Sequence, residues 1–169
     1  MTSTAGSTTK PTPKLDAEHA LLRLLELIRT TPAMRGLTQE KLAQVIGLDF
    51  VASGSGRYGA GERITQDWWY GVELDQTLVA GPRLDFSFNP DQTGAAPSMS
   101  EICALDFDRF ASELEAMGFT RERYHGEHGR VIHDRFERAG LAVTVYSQQE
   151  ASAPADKAAH ACIRTVLVN

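Results

Sequence analysis

The sequence predicts an α+β domain, a mostly antiparallel sheet packed against an N-terminal helix pair and a central helix. Three observations carry this. Two runs before residue 48 and one run over 106–117 repeat their apolar residues at helical spacing. Most other apolar residues alternate with polar ones in short segments. Gly, Pro and Asn punctuate those segments where turns belong.

Asp16 is placed to cap the first helix, and Leu21, Leu24, Leu25 and Ile28 follow at i, i+3, i+4 and i+7. Leu22 and Leu27 widen that stripe, and Pro32 stops the helix. The second helix has Thr38 as its cap, Leu37 and Leu42 as a staple, and Val45 and Ile46 as its inner face. Gly47 ends it. This segment, L-T-Q-E-K-L-A-Q-V-I-G-L, resembles the first helices of a helix-turn-helix DNA-binding domain. Such a domain needs a recognition helix close behind. Here D-F-V-A-S-G-S-G-R-Y-G-A-G-E-R follows, too rich in glycine for a stable helix.

Within that stretch, G-S-G-R-Y-G formally matches a G-x-G-x-x-G phosphate loop. The nucleotide mechanism requires a strand before the glycines and a helix after them. This copy has the reverse order and reads as a mobile loop or an irregular hairpin. The segments D-W-W-Y-G-V-E-L-D and R-L-D-F-S-F-N then form an antiparallel hairpin around a turn at Ala80–Pro82, with Leu84, Phe86 and Phe88 on one face.

The clearest element is the central helix. Ile102–Leu105 reads as a buried strand end; Asp106 is an N-cap and Leu105 with Phe110 a staple. Phe107, Phe110, Leu114 and Met117 share one face, Gly118 stops the helix, and Phe119 folds back. A weak strand at Thr120–Tyr124 follows, then a hairpin of Val131–Arg138 and Leu141–Gln148 around Ala139-Gly140. Residues 150–157 read as a loop or a short helix. The end of the chain favours a strand, with an Ala-rich helix reaching Cys162 as the alternative. No internal repeat is visible, and 15–169 reads as one domain behind a Ser/Thr/Pro-rich tail at 1–14.

Composition bounds function. The net charge of −5 argues against nucleic acid as a partner. No apolar run reaches the length of a membrane span. No cofactor motif is present. The tail reads as disordered, or as a tether left after processing, which would place the domain outside the cytoplasm in the periplasm. Without such processing the chain is cytoplasmic. The two cysteines, Cys103 and Cys162, fit one disulfide or two buried thiols.

Local spacing assembles no catalytic group. His125, His128 and His133 with Glu127 and Asp134 form the only histidine cluster, but its spacing lacks helical ligand geometry, so no metal is expected. Arg121, Arg123, Arg130, Arg135 and Arg138 interleave with acidic residues, as an ion-paired strand face or as a partner surface. In a strand, Trp68 and Tyr70 point one way and Trp69 the other, so an aromatic anchor can reach solvent. The expected partner-binding residues are therefore Trp68, Trp69, Tyr70, Arg121, Arg123, His125, His128 and Arg130. Three function classes follow. One is a protein-binding domain, such as an inhibitor or immunity-type protein blocking a toxin or enzyme. Another is a cytoplasmic secretion or assembly chaperone, expected to dimerise and to keep two free thiols. The third is a small-molecule-binding protein or enzyme using Glu62, Arg63, Asp67 or the histidines.

Overall fold

Asp16, Thr38 and Asp106 each accept a hydrogen bond from a first-turn backbone N–H, those of His19 (2.8 Å), Lys41 (3.2 Å) and Arg109 (2.9 Å). A cap of this kind contributes about 1 kcal/mol. They start α1 (Ala17–Thr30), α2 (Gln39–Ile46) and α3 (Phe107–Ala116). Gly47 closes α2 in the left-handed region at φ 81°, and Gly118 follows α3 at φ 92°. Phe119 N–H bonds back to the Leu114 carbonyl, and its ring is buried. The computed structural model describes residues 15–91, 96–149 and 160–169. The tail at 1–14 and the segment 150–157 lie outside the described residues.

Among the described residues, eight strands form one antiparallel sheet: β1 (Val51–Gly54), β2 (Arg57–Arg63), β3 (Trp68–Asp75), β4 (Arg83–Pro90), β5 (Thr120–His125), β6 (Val131–Arg138), β7 (Leu141–Gln149) and β8 (Ala161–Val168). Their order is β1-β2-β3-β4-β8-β7-β6-β5. The fold is α+β with an antiparallel sheet. The order is mirrored about the β4–β8 pair, since helix followed by a four-strand meander occurs twice. That duplication is topological. No sequence repeat marks it, because each half fills its core positions with different side chains.

The glycine-rich stretch is the irregular hairpin, β1–β2, turning at Gly56 (φ 73°) with a register shift between Ala52 and Gly54. The C-terminal segment is a strand and sits in the middle of the sheet, between β4 and β7. Val166 pairs there with both Phe86 and Val145. One expectation is corrected. Ile102–Leu105 is no strand end, because Met99–Ile102 forms a single 3-10 turn opened by the Ser98 hydroxyl, which accepts from Ser100 N–H. Ile102 and Leu105 are buried all the same, and the run spends its apolar surface beside the helices instead of in a ladder.

The core is one cluster. It joins Leu21, Leu24 and Ile28 of α1, Leu42 of α2, and Phe107, Phe110 and Leu114 of α3 to Phe86, Phe88, Phe136, Val143 and Val166 of the sheet. Arg138 draws helix ends and sheet together. Its guanidinium donates to the carbonyls of Ile28 (2.9 Å), Thr31 (3.3 Å) and Met117 (3.4 Å), where helix C-termini favour a cation. A Cys103–Cys162 disulfide ties the entry of α3 to β8 across a separation of 59 residues. Closing so long a loop contributes about 4 kcal/mol in the chain-entropy model. No described helix is long and apolar enough to cross a membrane.

Candidate partner-binding face

Strand alternation sorts the sheet residues onto two faces. On β3, Trp68, Tyr70, Val72 and Leu74 are buried, whereas Trp69 and Glu73 are exposed and Gly71 is half-buried. On β4, Leu84, Phe86 and Phe88 are buried against Asp85, Ser87 and Asn89 on the other side. The second face is thus the solvent face, and cross-strand registers define its rows. One row runs Gly61, Gly71, Ser87, Thr165 and Tyr146. It continues to His133, 5.4 Å from Tyr146 between ring centres, and to Tyr124, stacked on His133 at 4.7 Å. A parallel row runs Gly59, Glu73, Asp85, Leu167, Thr144, Arg135 and Glu122.

Small residues floor this face on β2, β3 and β4, around Trp69, and Tyr146, His133 and Tyr124 stand toward its β5 end. On β3, Trp69 is 41% exposed. Its cross-strand partner Arg63 lays its guanidinium over the indole, 4.5 Å from the ring centre. Arg63 is itself held by Asp91 at 2.7 Å and by the Gln66 carbonyl. A cation over an indole contributes about 0.5–1 kcal/mol at an exposed site. Its structural effect is to hold an exposed Trp in one orientation. Beside Trp69, a shallow groove of 310 Å³ lies over Gly59 of β2, Gly71 and Glu73 of β3, and Asp85 and Ser87 of β4. Burial pushes the Asp85 carboxyl above its ordinary value; Arg83 opposes this and Glu73 adds to it.

The expected partner residues do not form one patch. Trp68 and Tyr70 are each 1% exposed and belong to the core, which removes them from any surface. Trp68 Nε1 donates to the Ser98 carbonyl at 3.1 Å, and its ring carries the Arg164 guanidinium at 5.1 Å. The physical reason is the side on which the helices lie: it takes both even-numbered aromatics and leaves Trp69 outside. Arg121 and Arg123 also turn away from the solvent face. Both donate from Nε to Asp134 Oδ1 at 2.9 Å, and both pass over the Phe107 ring, at 5.0 and 5.6 Å.

His125 ends β5, and His128 sits in the turn Glu127–Gly129 with a left-handed φ of 59°. His133 and Asp134 face opposite sides of β6, so the histidine cluster does not converge as a ligand set. Arg130 lines two concavities that flank this hairpin tip. One, of 540 Å³, is shared with Phe107, Asp108 and Arg123. The other, of 640 Å³, is shared with His128, Val131, Ile132 and Tyr146. Tyr124, Val131 and Ile132 give this second end its exposed apolar surface. Four strands separate it from Trp69, a distance on the order of 24 Å across the sheet.

Sequence reasoning missed the two-ended face, because it needs the pairing of β4 with β8. It also missed His160, whose neighbours come from the far side of α3. Comparison with protein-family models, with curated proteins and with solved structures finds no match.

Proposed function

We propose that the chain is a protein-binding domain of the inhibitor or immunity type, and that it seats its partner on the solvent face of the sheet with Trp69 as the anchor. The observation that carries this reading is Trp69 itself, an exposed indole held in place by Arg63, Asp91 and the Gln66 carbonyl. Large aromatics of this kind dominate binding energy, and fixing the rotamer beforehand lowers the entropy cost of association. The glycine-floored groove beside it lets a partner side chain approach the backbone closely. Glu73 and Asp85 on that groove favour a basic one.

The disulfide and the absence of a membrane-crossing helix among the described residues are compatible with an extracytoplasmic soluble inhibitor. They favour it over the chaperone reading, which expects two free thiols. The small-molecule reading keeps one observation, the concavity where Arg123 and Arg130 stand beside Phe107.

The test is affinity purification of the tagged chain from its own source, followed by measurement of the interaction with the recovered partner. Trp69→Ala should weaken binding at least about tenfold, as for a hot-spot residue. Glu113→Ala, on the exposed side of α3, should leave it unchanged. Equal affinity of wild type and Trp69→Ala would move the interface off this face.

A further inference from the structure

Next to the disulfide stands a histidine that its own neighbours have oriented. His160 Nε2 lies 2.7 Å from Asp106 Oδ2. A carboxylate only accepts hydrogen bonds, so Nε2 carries a proton, and in the neutral tautomer this fixes, the Nδ1 lone pair lies on the other side of the ring. That lone pair faces Cys103 Sγ at 3.7 Å. The ligand atoms of Cys103, His160 and Cys162 all lie within 4.8 Å of one another. Asp106 is itself fixed, since its other oxygen caps α3 through Arg109 N–H.

We propose that, when a dithiol reduces the Cys103–Cys162 bond, Cys103, Cys162 and His160 become a three-ligand site for a borderline-soft divalent cation such as Zn²⁺, with Asp106 as the positioning residue for His160. Reduction transfers two electrons and two protons from the dithiol, which becomes a disulfide, to the two sulfurs. Binding the cation then releases both thiol protons.

The geometry supports each part. Zinc ligands at about 2.3 Å (sulfur) and about 2.05 Å (nitrogen) in a tetrahedron stand roughly 3.6 Å apart. The Nδ1–Sγ separation of 3.7 Å already meets this. Once no bond joins them, the two sulfurs must part to roughly 3.8 Å, and Cys162 Sγ, within 4.8 Å of the ring nitrogen, must settle at roughly 3.6 Å from it. A carboxylate behind the far nitrogen of a ligating histidine is the usual outer partner, because it fixes the tautomer and raises ligand basicity. His160 is exposed while the cysteines are buried, so the fourth position opens toward solvent. None of these residues belongs to the proposed partner-binding face.

The experiment uses the full chain, reduced with dithiothreitol, desalted without oxygen, and titrated with Co²⁺ and then Zn²⁺. The expected result is saturation at a single equivalent with thiolate-to-cobalt charge-transfer absorption, displacement of that absorption by Zn²⁺, and none in the unreduced chain. His160→Ala should keep the fold by circular dichroism and weaken Co²⁺ binding at least about tenfold, since even outer-shell changes cost ten- to a hundredfold. Cys103→Ser should abolish the absorption. The proposal is overturned by a folded, reduced chain with two titratable thiols and no charge-transfer band. Wild-type affinity in His160→Ala overturns it too, as does loss of the folded circular dichroism spectrum on reduction with Co²⁺ present.

Discussion

Arg121 Nε donates to Asp134 Oδ1 at 2.9 Å across the β5–β6 pair, and Asp134 is fully buried. Arg123 reaches the same oxygen at the same distance. A buried carboxylate thus takes its compensation from two guanidiniums on the edge strand, which α3 covers through Phe107. Either arginine alone leaves Asp134 paired. Arg121→Ala and Arg123→Ala should therefore cost little singly, while the double variant leaves a buried charge uncompensated and costs about 3–5 kcal/mol. Urea unfolding of the four members of this cycle measures the coupling; additive losses would mean that the two arginines act independently.

Asp75 connects stability to pH. The Thr77 hydroxyl (2.6 Å) and N–H (2.8 Å), with Arg57 adding, hold its carboxyl down at about 2. A depressed folded-state value means that the stabilisation is complete above the ordinary carboxylate range. It is lost as pH falls through that range toward about 2. Urea midpoints followed from neutral pH into this window should fall in the wild type. The fall should be shallower in Asp75→Asn. Thr77→Val removes the strongest donor, so the loss should be smaller and should be complete at a higher pH; an unchanged profile would assign the acid sensitivity to other carboxylates.

Gly140 bears on how the β6–β7 hairpin meets the end of α1. It adopts φ 84°, and a Cβ there would lie 2.8 Å from the Pro32 carbonyl oxygen. Gly140→Ala should therefore destabilise by more than the roughly 1 kcal/mol of a left-handed alanine alone. Thermal unfolding of Gly140→Ala beside Gly118→Ala isolates the contact, because Gly118 is left-handed with open space around it.

Trp68 and Trp69 are neighbours with opposite fates. Trp68→Ala should cost about 3–5 kcal/mol, as for a buried tryptophan. Trp69→Ala should cost about 1 kcal/mol or less, the worth of its contact with Arg63. Denaturant unfolding of the two single variants reads this directly. A large loss at Trp69 would make it structural and remove the reason to treat it as an anchor.

Much of the helical layer was legible because its signals are local. Asp16, Thr38 and Asp106 cap within their own first turns, and Gly47 and Gly118 sit where a left-handed residue is needed. The β3–β4 and β6–β7 hairpins were legible from alternation and turns. The run Ile102–Leu105 was misread because a short buried apolar segment has the same composition in a strand and in a 3-10 turn. The trio Trp68, Trp69 and Tyr70 was only half legible. Alternation showed that one aromatic opposes the other two, and the covering helices chose which.

The sequence by itself determined what nearest neighbours along the chain can enforce: three capped helices, alternating strands, an α+β class and an acidic surface. Only the tertiary structure decided the relations between residues far apart in the chain. It placed β8 between β4 and β7, closed Cys103 onto Cys162, and brought His160 against Asp106. It also turned Arg121 and Arg123 inward to Asp134 and left Trp69 outside while burying Trp68 and Tyr70. The physical reason is that burial and pairing depend on which surfaces meet. Spacing along the chain fixes the side of a strand on which a residue lies, and packing decides which side is covered.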